Sequence, residues 1–184
     1  VMPLKEVALK VNLPEEDLAR WVIGMPDLYP PRPVDGFIIC GGPSASVEDY
    51  AYPRSWGPQL IEDLDYEICL KGDFFGAGPK SPIVDKALAV VEKTFKAAEY
   101  LTQRDPVDFL QVVSFDINRI QHFFYDGAPT LRAWQIADRW LGKFSPGFDY
   151  VFIMSDHGTE PVERAFFLNV WLRQQGYLST IFKP

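Results

Sequence analysis

A chain of 184 residues with 47% hydrophobic and 15% aromatic side chains has ample material for a core, which excludes a disordered protein and fits one domain or a large piece of one. Its 25 acidic residues outnumber 18 basic ones, and the net charge of −7 argues against a nucleic-acid polymer or an anionic membrane as the main partner, since either needs a clustered basic face. No apolar run reaches the length of a membrane span, and no charged n-region leads into an apolar h-region at the N-terminus.

Val1 to Asp17 mixes apolar and charged residues without a sustained period, interrupted by Pro3 and Pro14, and carries no assignment. Leu18 to Met25 ends in the apolar Trp21-Val22-Ile23-Gly24-Met25, a short strand stopped by Pro26. Tyr29-Pro30-Pro31-Arg32-Pro33 must then be extended, a rigid loop suited to a pocket wall. Gly36 to Cys40 is a second strand, and Gly41 to Ser46 reads as a turn because it lacks the lysine of a phosphate-binding loop. A helix is expected from Pro53 to Leu64, a short strand from Tyr66 to Leu70, and a glycine-rich crossing loop from Lys71 to Lys80. The clearest helix runs from Ile83 to Gln103, with Ser81 as N-cap, Pro82 at the first helical position and an apolar stripe through Val84, Leu88, Val91, Phe95, Ala98 and Leu101. Its charged face, including Lys93 and Glu92, reads as solvated. Cys40 and Cys69 are too few for a disulfide framework and read as two buried thiols, which suits a reducing cytoplasm.

Asp108 to Phe115 is the next strand, and it gives way to polar residues at its C-terminal end. Asn118 and His122 stand four apart there, a spacing that puts two metal ligands on one face if the segment is helical. The plain alternative is a half-buried His122 bonded to backbone. Thr130 is expected to cap a helix reaching Lys143, and Ser145-Pro146-Gly147 to turn the chain into Tyr150-Val151-Phe152-Ile153-Met154, an apolar run that reads as a buried central strand. That run stops at Ser155-Asp156-His157-Gly158. A carboxylate and an imidazole are suitable ligands for Zn²⁺, Mn²⁺ or Fe²⁺, and Gly158 lets the backbone turn away so that both face one cavity. A turn with Asp156 capping the following helix explains the same residues without a metal. Val162 to Gln175 is the last expected helix, stopped by Gly176.

Strands alternating with helices of ten to twenty residues give an α/β fold with a mainly parallel sheet covered on both faces. The chain has only two histidines, and both follow strands whose ends are polar. Neighbouring strand ends converge in such a sheet, so His122 and Asp156-His157 are expected to approach one another.

The stretch Ser155-Asp156-His157-Gly158 resembles the metal-ligand motif of the alkaline phosphatase superfamily. More narrowly, Met25-Pro26-Asp27-Leu28-Tyr29-Pro30-Pro31, Val34-Asp35-Gly36-Phe37, Tyr52-Pro53, Arg119-Ile120-Gln121-His122-Phe123-Phe124 and the run Leu168 to Leu178 are similar to predicted phosphohydrolases or phosphomutases related to type I phosphodiesterases and nucleotide pyrophosphatases. The resemblance implies an alkaline-phosphatase-like fold and phosphoryl transfer on a small-molecule phosphoester. It also implies two divalent ions, Zn or Mn, that activate a Ser or Thr nucleophile. Asp156 and His157 match ligands of one ion and His122 a ligand of the other. Asn118 falls where the family has an acid, with Asp116 two residues earlier as a substitute if the loop is reshaped. The family's first strand, with its Asp ligand and nucleophile, has no counterpart before Met25, and no third histidine follows His157. The expectation is therefore a single partial catalytic domain over residues 1–184, incomplete at both ends, with its nucleophile outside the chain and little activity alone. A noncatalytic binding module that keeps the pocket is the alternative. Ser155 is expected to point away from the face that Asp156 uses.

Overall fold

Short runs rich in β-branched and aromatic residues build one sheet, and the rest of the fold is hung on it. The computed structural model describes residues 20–25, 28–42, 48–105 and 107–179, so the expectations for Val1 to Asp17 and for Pro43 to Ser46 lie outside the described residues. The strands are β1 (Arg20–Met25), β2 (Gly36–Cys40), β3 (Ala51–Tyr52) and β4 (Phe109–Val112). β1 pairs in parallel with both β2 and β4, β3 runs antiparallel to β2, and the order across the sheet is β3-β2-β1-β4. The mainly parallel α/β class expected from the sequence is what forms.

Among the described residues, five α-helices follow the apolar periodicity: α1 (Trp56–Leu64), α2 (Pro82–Thr102), α3 (Phe115–Phe124), α4 (Ala128–Phe144) and α5 (Leu168–Gln174). α2 starts where proline at the first helical position predicts and buries Val84, Leu88, Val91, Ala98 and Leu101 of the expected stripe. The two ends of that helix serve two apolar clusters. Ala97, Ala98 and Leu101 join Ile23, Phe37, Ile39 and Leu60 under the sheet, whereas Val84, Leu88 and Val91 join Leu70, Phe74, Ile117, Ile120 and Ala133 between α2, α3 and α4. No described helix is long and apolar enough to cross a membrane.

Several expectations give way. Tyr66 to Leu70 forms no strand: Asp65 adopts the left-handed conformation (φ 51°), the Tyr66 N–H closes back on the Leu60 carbonyl at 3.1 Å, and the Tyr66 ring stacks on Tyr50 at 5.9 Å in the core. The strand expected through Phe115 stops at Val112, because Phe115 already begins α3. Thr130 does not cap α4; Gly127 holds that position, and the Thr130 hydroxyl donates from inside the helix to the Phe124 carbonyl at 2.6 Å. The charged face of α2 is not simply solvated either. Lys93 reaches Asp65 at 2.7 Å and Glu67 at 3.1 Å, while Asp85, Glu92 and Glu99 pair with Arg132, Arg139 and Lys143 of α4.

The largest correction concerns Tyr150 to Met154. These residues join no strand among those described, and their side chains are 45–72% exposed. Strand formation needs a neighbour to hydrogen-bond and a surface to cover, and nothing in the described residues supplies either to this run.

The chain falls into two units, 1–154 and 155–184. In the second, the helix is shorter than the expected Val162 to Gln175: α5 covers seven residues preceded by Phe167, whose side chain cannot cap. Such a short helix is marginal without packing. Gly176 (φ +77°) ends it as expected, with the Tyr177 N–H donating to the Leu172 carbonyl at 2.9 Å.

One position in the sheet is exacting. Gly24 has φ +73° at a register irregularity in β1, and a Cβ there would lie 2.2 Å from the Val113 carbonyl oxygen. Gly24→Ala should cost at least about 2 kcal/mol, combining the left-handed penalty with a backbone clash. Urea unfolding checks it, and an unchanged midpoint would mean that β1 and β4 do not approach this closely.

Candidate active site

Because β1, β2 and β4 are parallel, their C-terminal ends lie along one edge, the edge at which open α/β sheets place ligands. The strand ends there are drawn to backbone contact. A Cβ on Gly41 would sit 2.0 Å from the Gly24 carbonyl oxygen, and the Val113 N–H donates to the Ile23 carbonyl at 2.9 Å. Ser114 follows immediately and is the N-cap residue of α3, so α3 departs from this edge.

α3 carries Asp116, Asn118, Arg119 and His122. The condition on the Asn118 and His122 spacing is met: the segment is helical, and residues four apart share a face. Asn118 is half-buried and His122 exposed.

Asp116 has another task. It is 4% exposed, and its Oδ1 accepts the Leu70 N–H at 3.4 Å and Arg119 Nη1 at 3.2 Å. Arg119 in turn donates Nη1 to the Leu70 carbonyl at 2.8 Å and Nη2 to the Gly72 carbonyl at 2.7 Å. The pair thus grips the main chain of residues 70–72. Burial holds the Asp116 carboxyl above the usual carboxylate range, although Arg119 and the Leu70 N–H pull it down. A metal could recruit Asp116 only by breaking these bonds. Sequence reading missed this clamp; its one local signal is the spacing of an acid and an arginine three residues apart on a helix.

In the second unit, Asp156 and His157 are adjacent and exposed, with Asp156 Oδ1 3.8 Å from His157 Nε2. His157 Nδ1 lies 3.0 Å from the Gly158 carbonyl, and the Ser155 hydroxyl donates to the His157 carbonyl at 2.5 Å. The structure therefore assembles the predicted residues as two pairs, Asn118 with His122 and Asp156 with His157. Among the described residues no three His, Cys, Asp or Glu side chains are grouped as a metal would need. Each pair by itself offers donor types that a divalent ion accepts: an imidazole with an amide carbonyl in the first, an imidazole with a carboxylate in the second.

The sequence model of the type I phosphodiesterase / nucleotide pyrophosphatase family matches residues 22–184. The chain belongs to this family. No curated protein and no solved structure matches it significantly. Membership in the type I phosphodiesterase / nucleotide pyrophosphatase family accords with the alkaline-phosphatase-like α/β sheet, and the match embraces both residue pairs.

The clamp makes a pH prediction. A carboxyl whose folded pKa is raised binds protons more tightly in the native state, so its contribution is full below the unfolded value of about 4 and is lost as pH rises through the raised folded value. Urea midpoints measured from acid to neutral pH should show this downward component in the native sequence and not in Asp116→Asn. Parallel profiles would show that Asp116 titrates as an ordinary carboxyl.

Proposed function

We propose that the parent protein of this phosphodiesterase-family chain hydrolyses or transfers a small-molecule phosphoester with two divalent cations, Zn²⁺ or Mn²⁺. The observation that carries the reading is the family match over residues 22–184, which includes both Asn118-His122 and Asp156-His157. In this scheme His122 and Asn118 hold one ion, and Asp156 and His157 hold the other. The ions, when bound, polarise phosphoryl oxygens and favour the ionised form of an attacking hydroxyl. His122 offers an imidazole from a helix anchored at the sheet edge, and Asp156 contributes the carboxylate that Asn118 does not. The nucleophile is assigned outside residues 1–184, because Ser155 turns its hydroxyl to the His157 carbonyl. A nucleic-acid polymer does not suit the acidic chain, and the cytoplasm is the proposed setting, on the free thiols Cys40 and Cys69.

Asn118 supports a second reading. A neutral carbonyl in place of the family's acid suits a binding module that keeps the pocket without turnover.

Calorimetry with Zn²⁺ and Mn²⁺ on the full-length protein separates these. Asp156→Ala and His122→Ala should each weaken metal binding by at least about 100-fold, more than losing an outer-shell partner does. Residues 1–184 alone should bind weakly and leave bis-aryl and mono-aryl phosphates intact, while the full-length protein turns one of them over. Metal bound by the full-length protein without turnover would favour the binding module. Turnover by residues 1–184 that vanished in Ser155→Ala would overturn the assignment of the nucleophile.

In the enzyme reading, Asn118→Asp should tighten metal binding and raise turnover, since a carboxylate is the better ligand. A drop in both would mean that the amide is fitted to its site.

A further inference from the structure

A cavity of about 480 Å³ opens on the outer flank of the sheet, between β3 and α1. β3 stands three strand spacings, or about 14 Å, from β4, and none of the described residues of α3 lines the cavity. Its floor is Tyr50, Ala51 and Gly57, all buried, and Pro58 and Ile61 of α1 add an apolar wall. The floor is set before any ligand arrives. Tyr50 is held by its hydroxyl, which donates to the Gly57 carbonyl at 2.8 Å, and by the stack of its ring on Tyr66. Charge is confined to the mouth, where Glu48, Asp49 and Glu62 bring three carboxylates against one guanidinium, that of Arg54, which lies 3.0 Å from Asp49.

From this arrangement we infer that the cavity binds a small aliphatic primary ammonium compound, with its stem over Ala51, Pro58 and Ile61 and its ammonium among the carboxylates of the mouth. Acidic side chains on a surface specify nothing by themselves. An acidic mouth over a preformed apolar floor is more demanding, because it favours one ligand that carries both an aliphatic stem and a cationic head. The volume suits a small molecule, within the range of roughly 300–1,000 Å³ that such sites occupy. The kind of cation follows from the lining. A primary ammonium offers three N–H donors to carboxylate oxygens, whereas a quaternary one offers none and is held instead by the faces of aromatic rings. Tyr50 presents no such face, being 2% exposed with its ring stacked on Tyr66. Arg54 acts as the built-in competitor, since its guanidinium already occupies Asp49.

The test follows the methyl resonance of Ile61 in the isotope-labelled full-length protein during titration with n-pentylamine. The native protein should bind it about tenfold more tightly than n-pentanol, which lacks the charge, and than ammonium chloride, which lacks the stem. The n-pentyltrimethylammonium ion, which lacks the N–H donors, should bind several-fold more weakly. Glu62→Gln should weaken n-pentylamine by about two- to fivefold, the order of one exposed charge pair, and Arg54→Ala should tighten it by a similar factor by freeing Asp49. Both side chains are exposed, so neither change threatens the fold. An Ile61 methyl that responds alike to n-pentylamine and ammonium chloride would reduce the mouth to a diffuse acidic surface and overturn the inference. A quaternary ion bound as tightly as the primary one, an affinity unmoved by both substitutions, or a methyl resonance that no probe shifts would overturn it as well.

Discussion

The closest constraint in the structure is the contact of three main chains where β1, β2 and β4 end. The place of a Cβ on Gly41 is taken by the Gly24 carbonyl, and the place of one on Gly24 by the Val113 carbonyl. A side chain at either position would collide with the neighbouring main chain. Since Ser114 and α3 follow Val113 without a loop, the origin of α3 is fixed by glycines in strands far away in sequence. Every functional statement about His122 depends on that origin.

α2 ties this edge to the rest of the unit. At 21 residues it is about 30 Å long, enough for one end to pack under the sheet and the other between α3 and α4. Its ion pairs with α4 advance in the same sense along both helices: Asp85 with Arg132, Glu92 with Arg139, Glu99 with Lys143. The two helices therefore run in the same direction with a fixed register. Exposed pairs of this kind contribute little each. The stability lies in the aliphatic side chains beneath them, at about 1.5–3 kcal/mol for each large one fully buried, and the charges select which alignment buries them.

What could be read in the sequence was local. Pro82 and the stripe from Val84 to Leu101 determine a helix whatever surrounds them, and the strands around Ile23 and Ile39 are short β-branched runs between punctuating residues. The family was legible too, because its matching stretches run in order across most of the chain. What failed was non-local. Tyr150 to Met154 has the composition of a buried strand, but pairing is a property of the partner, and no described strand takes it up. Tyr66 has a β-former's side chain, yet a left-handed Asp65 and the Tyr50 ring draw it into the core. Of the Asp116 and Arg119 clamp only the i, i+3 spacing is local; its targets are carbonyls and an N–H 46 to 49 residues away, and backbone groups carry no sequence signal.

The clamp also bears on why the acid and the amide in α3 are not interchangeable. A carboxylate in the first turn of a helix is favoured by the helix dipole, but one that is 4% exposed survives only if its oxygens are satisfied, and here Arg119 and the Leu70 N–H do so. Withdrawing Asp116 to serve a metal would leave Arg119 partly buried without its counter-charge and would release the segment that carries Phe74 and Phe75. The charge at 116 is thus committed to shape, and Asn118, on the same face as His122, is left to present a neutral oxygen. In the proposed scheme an ion beside His122 would then keep more of its positive charge uncompensated by protein. The anionic phosphoester would have to supply the balance, which would make cation retention and substrate binding at this helix mutually reinforcing.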